Sequence, residues 1–120
     1  MRITSKAEIT PLGGGGETVF ELIGRAPQHG GVDGHSLAHI VIAPGQASSR
    51  HFHKQTEETY YILRGAGEMV IDGRVFIVEP GQACLIEPGE AHQIFNREAS
   101  DLEFLAVCAP AWAPDDSFSA

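Results

Sequence analysis

Short runs of β-branched, aromatic and aliphatic residues recur along the chain, each closed by Gly, Pro, Asn or Asp. TVFELIG (18–24), SLAHIVIAPG (36–45), TYYILRG (59–65) and EMVIDGRVFIVEPG (68–81) follow this pattern. ACLIEPG (83–89), AHQIFN (91–96) and LEFLAVCAP (102–110) repeat it. Helical periodicity is hard to find, so strands are the expected elements. Within the fourth run, Asp72-Gly73 between EMVI and RVFIV signals a two-residue hairpin, because a type I′ turn needs positive φ at both positions. Strands this short and this regularly punctuated predict an all-β sandwich or barrel. The polar, glycine-rich residues 25–34 read as a loop. Those from 110 onward read as an irregular tail or one packed across the outside.

Composition narrows the class. A chain of 120 residues has the size of one domain, and 42% apolar content with 14 glycines and 7 prolines suits a turn-rich globular protein. Sixteen acidic against eight basic residues leave a formal charge of −8. With no Lys/Arg cluster to meet phosphates, nucleic acid is not an expected partner. Neither a signal-peptide core nor an apolar run of the ~20 residues needed to cross a bilayer is present, so no membrane partner and a cytoplasmic location are expected. Cys84 and Cys108 lie in apolar runs without a CxxC pair and read as small buried hydrophobes. The glycines at 13–16 lack the Lys-Ser/Thr of a phosphate loop and read as a flexible turn.

Candidate chemistry concentrates in RHFHKQTEETYY (50–61). His51 and His53 stand two apart, which on a strand sends both imidazoles to one face, with carboxylates close behind. That is how a transition-metal site begins. His29 and His35 fall in the glycine-rich loop and are expected to be solvated. His39 shares a strand face with Leu37 and Val41 and reads as a satisfied or rim histidine.

Extending the stretch both ways completes two patterns. Gly45 is followed by five residues, His51-x-His53, four residues, Glu58, six residues and Gly65. Gly81 is followed, six residues on, by Glu87-Pro88-Gly89, then two residues, His92, three residues and Asn96. Both resemble the signature motifs of the cupin superfamily. The one departure is Glu87, which stands where the family has proline. The resemblance covers residues 36–108 and implies a single domain over 1–120, folded as an antiparallel double-stranded jelly-roll β-barrel. It also implies one divalent transition metal per monomer (Fe, Mn, Ni, Co, Cu or Zn) on His51, His53, Glu58 and His92. Alternation alone leaves Glu57 and Glu58 open as the carboxylate; the motif spacing to Gly65 selects Glu58 and leaves Glu57 solvated or bonded to an imidazole N–H. Asn96 reads as structural.

Strand parity places Tyr60 and Ile62 with Glu58, and Ile94 with His92, as walls of a small-molecule pocket. The resemblance adds the Phe104, Ala106 and Cys108 face. Arg50 and Arg64 are within reach of the rim. Three functions stay open: a metal-dependent dioxygenase with Glu58 or Tyr60 as base, a non-redox isomerase, lyase or decarboxylase, and a non-catalytic binder of small molecules. Small cupins commonly form homodimers, and TVFELIG is the expected pairing strand.

Overall fold

The computed structural model describes residues 1–13 and 15–120. Among these residues, ten strands form two five-stranded antiparallel sheets. They are β1 (Glu17–Ile23), β2 (Ser36–Ile42), β3 (His51–His53), β4 (Glu57–Arg64) and β5 (Gly67–Ile71), then β6 (Arg74–Val78), β7 (Ala83–Ile86), β8 (His92–Phe95), β9 (Leu102–Ala109) and β10 (Ser117–Ser119). One sheet runs β1-β2-β9-β4-β7 and the other β10-β3-β8-β5-β6. This is the jelly-roll architecture that the strand spacing and the motifs imply, built from two facing sheets. The glycine run at 13–16 lies partly outside the described residues.

Alternation within strands fills the space between the sheets. Ile40, Ile42, Ile62, Met69, Ile94, Leu102 and Phe104 are buried there. The β5–β6 hairpin turns at Asp72 and Gly73 with φ of 50° and 75°, the left-handed pair a type I′ turn demands. At the turn where Glu87 replaces the family's proline, the Glu87 N–H donates to the Glu90 side chain at 2.8 Å and the Glu90 N–H donates back to the Glu87 carbonyl at 3.1 Å. Side-chain capping there supplies the stiffness a ring would give. Asn96 is structural: its amide donates to the carbonyls of Ile42 and Ser100, both at 2.8 Å.

Three expectations change. The loop histidine His29 is buried, not solvated, and its Nδ1 lies 2.8 Å from Glu21 of β1. Its neighbour His35 is exposed as expected. The tail is not irregular: after a 3-10 turn (Pro114–Asp116), β10 pairs with the histidine strand β3. Arg64 lies on the outer surface, 3.3 Å from Glu103, rather than at a pocket rim. His39 is satisfied by the same Glu103 at 3.0 Å. No helix is long and apolar enough to cross a membrane among the described residues.

Candidate metal centre

The two sheets bring four side chains together at one end of the fold. His51 on β3 stands directly opposite His92 on β8, and His53 follows two residues on. Glu58, near the head of β4, enters from the facing sheet, where it pairs with Ile86 of β7 and Cys108 of β9. One ligand atom from each of His51, His53, Glu58 and His92 lies within 4.8 Å of every other. Glu57 points away and is exposed, as the opposite parity requires.

Backbone carbonyls fix the ring orientation of all three histidines. Nδ1 of His51 donates to Ser49 at 3.0 Å, that of His53 to Asp116 at 2.9 Å, and that of His92 to Glu90 at 3.0 Å. A carbonyl only accepts, so each Nδ1 carries the proton and each Nε2 turns a lone pair inward. The Nε2 atoms of His53 and His92 lie 3.6 and 3.3 Å from Glu58 Oε1. All three of these atoms are buried without a hydrogen-bond partner. Buried acceptors that face one another unsatisfied are costly unless a cation lies between them. Three Nε2 donors and one carboxylate therefore fit one divalent transition metal.

The tail supports the site from behind. Asp116 presents its carbonyl to His53, and its carboxylate accepts from the N–H groups of Lys54, Gln55 and Thr56 at 3.0–3.1 Å. This fastens the turn between the two histidines of β3 and Glu58. Nothing local in the sequence signals that contact, which spans some sixty residues.

Burial pushes the Glu58 carboxyl up, but hydrogen bonds and charge from His53 and His92, when those rings are protonated in place of a metal, outweigh it and hold the group well below the usual carboxylate range. Burial lowers His51. For His53, burial is outweighed by Glu58 and the Asp116 carbonyl, so its pKa is raised. Protons and metal compete for the same nitrogens, and a raised pKa means stronger competition. Apparent metal affinity should therefore fall as pH drops, first through His53 at a pH above the ordinary imidazole value of about 6.5, and more steeply as further nitrogens protonate. Metal titrations from pH 5 to 8 check this; a flat profile would contradict it.

The site opens into a cavity of about 230 Å³, lined in part by Tyr60, Ala106 and Cys108. Ile62, Ile94 and Phe104 share the inward faces but lie in the packed core instead of the cavity lining. Parity reports face and not depth. Sequence reasoning missed the opposite wall, which Glu17, Val19 and Glu21 of β1 and Trp112 of the tail provide. Burial and the Glu58 charge push the Tyr60 phenol far up, leaving it a proton donor. Glu58 Oε1 faces the imidazoles, and its Oε2 accepts from the Cys108 thiol at 3.3 Å. Burial raises the Cys108 pKa strongly, so the sulfur stays a thiol. Both cysteines are free.

The cupin-domain family model matches residues 38–108. The chain is a cupin. An uncharacterised protein of Methanocaldococcus jannaschii is 34% identical to this cupin over 82 residues, 68% of this chain and 66% of that protein, just under two thirds of its length. An oxalate-binding protein of Thermotoga maritima is 33% identical over 112 residues, 88% of this chain and 91% of its own. A solved structure described as a predicted oxalate decarboxylase, also of Thermotoga maritima, superposes with a TM-score of 0.76 at 30% identity, covering 91% of this cupin and 99% of that chain.

The carboxylate assignment has a direct check. Glu58→Gln should weaken metal binding by on the order of tenfold or more, since an anionic ligand becomes neutral, whereas Glu57→Gln at its exposed position should change it little. Competition titrations of both variants decide; a larger loss from Glu57→Gln would shift the β4 register by one residue.

Proposed function

We propose that this cupin is a metal-dependent enzyme of the dioxygenase type, acting on a small organic molecule held beside His51, His53, Glu58 and His92. The observation that carries the proposal is the set of buried, partnerless His53 Nε2, His92 Nε2 and Glu58 Oε1 at the end of a cavity of about 230 Å³. A divalent transition metal bound there supplies a Lewis acid or redox centre for substrate oxygen atoms. The chain's own residues do the rest. Carbonyls of Ser49, Glu90 and Asp116 hold the imidazoles in register. Val19, Ile40 and Ala106 line a largely apolar wall that limits water. The Tyr60 phenol stays protonated and can donate to a substrate oxygen.

A second reading, decarboxylation without net oxidation, is favoured by the relatives described as oxalate-binding and as a predicted oxalate decarboxylase. Purified protein reconstituted separately with iron, manganese, cobalt, nickel, copper or zinc separates the two. Dioxygen consumption with a panel of small oxygenated substrates supports the first reading, and carbon dioxide release without dioxygen consumption supports the second. Ligand binding without turnover of any kind would leave a binding protein. A homodimer belongs to the same proposal. β1 is a sheet edge, although Leu12 already exchanges hydrogen bonds with Val19 along part of it.

A further inference from the structure

β1 contributes a carboxylate to the cavity that the metal cluster does not use. Its inward face carries Glu17, Val19 and Glu21, which stand opposite Ile42, Ile40 and Ala38 of β2. These β2 partners are themselves core residues or packed on the core, which confirms the direction of the strand's parity. Glu21 commits one oxygen to buried His29 at 2.8 Å. Among the described residues Glu17 has no such partner: its surroundings contribute burial and the nearby charges of Glu58 and His92. The cavity wall, among the described residues, includes no Lys or Arg.

We infer that Glu17 is the specificity-determining residue of this site, selecting small uncharged molecules with two neighbouring oxygen donors and disfavouring dianions such as oxalate. The inference rests on the metal-site reading above. A divalent ion on three neutral imidazoles and Glu58 leaves one net positive charge, and Glu17 cancels it. An uncharged chelator brings at most the one negative charge left when it releases a proton on binding, while a dianion brings two into a cavity that already holds Glu17 and Glu21. Like charges repel more strongly in a partly enclosed site than in bulk water. The chain's formal charge of −8 adds nothing to attract an anion. Size restricts the choice as well. About 230 Å³ is below the ~300–1,000 Å³ of drug-sized sites, so a molecule of roughly ten non-hydrogen atoms is the upper range.

The test uses cobalt(II)-loaded protein at about pH 8, where unperturbed carboxyls are ionised. The probes are oxalate, a dianion, and acetohydroxamic acid, a compact oxygen chelator that is uncharged in solution and binds as a monoanion on losing one proton. Visible spectra and calorimetry give both affinities, each referred to the same probe's affinity for aqueous cobalt(II). Wild type should disfavour oxalate by about tenfold or more relative to acetohydroxamic acid on that scale. Glu17→Gln should recover most of the lost oxalate affinity, while Glu17→Asp, which keeps the charge, should retain the discrimination. Cobalt content and circular dichroism of the variants show that site and fold are intact. Oxalate held as well as the aqueous scale predicts, or discrimination unchanged in Glu17→Gln, overturns the inference and leaves the metal site standing. A cobalt spectrum that ignores both probes overturns the open metal site, and this inference with it.

Discussion

His92→Ala should take bound metal from about one ion per chain to near zero, with the β-rich fold retained. His92 is 1% exposed, its Nδ1 fixed on the Glu90 carbonyl and its Nε2 3.3 Å from Glu58. Removing a partner that merely orients a ligand costs about 10- to 100-fold in affinity, so removing the ligand itself should cost at least about 100-fold. The same change strips Glu58 of one of the two imidazoles that offset its burial, so its carboxyl pKa should rise toward the ordinary range. The fold survives because the packed residues, Ile42, Met69, Leu102 and Phe104 among them, form their own cluster. Elemental analysis after dialysis against trace metal, with circular dichroism alongside, checks the expectation. Full occupancy in a folded His92→Ala protein would remove His92 from the site.

Phe104→Ala should have the largest effect on stability. Phe104 is wholly buried on the central strand β9, opposite Ile40 on one neighbour and Ile62 on the other, with its ring 4.5 Å from that of Tyr60. Truncating such a side chain leaves a cavity that neighbouring strands cannot close and costs about 3–5 kcal/mol. Against a total stability of about 5–15 kcal/mol this is a large share, and for a chain of this length it corresponds to a fall in Tm of about 12–20 °C. Tyr60 would also lose the ring that holds it against the cavity, so ligand binding at the metal should weaken while metal content stays near wild type. Thermal unfolding of the metal-free protein is the measurement. A drop of only a few degrees would mean that β9 does not anchor the core.

Much of this was legible in the chain itself because its signals are local. Asp72-Gly73 announces the hairpin, and alternation puts Glu58 with Tyr60 and His51 with His53. The second block, Gly81 to Asn96, supplies His92 at a distance only the fold can close. What stayed hidden depends on contacts between distant segments. Glu17 and Glu21 alternate with apolar Val19 on one face of β1, a pattern that reads as neither core nor solvent, yet β1 turns that face toward the cavity. His29 sits among glycines and polar residues, and only the approach of Glu21 explains its burial. Asp116 lies in a tail without strand patterning, and its role appears once β10 pairs with β3. Ile62, Ile94 and Phe104 share the inward faces, but depth along the barrel has no sequence signal.

The measurement that tests the central claim most directly is X-ray absorption of the protein loaded with a single equivalent of cobalt(II) or zinc(II). Three imidazoles anchored through Nδ1, with one carboxylate and a protonated Cys108 nearby, predict a first shell of nitrogen and oxygen only, at about 2.0–2.2 Å. The multiple-scattering signal should correspond to about three imidazole rings and be reduced in His92→Ala protein. A sulfur scatterer at about 2.3 Å would show that Cys108 surrenders its proton and ligates, and a shell without imidazole would place the ion elsewhere. Either result would contradict the assignment of His51, His53, Glu58 and His92 as the metal site.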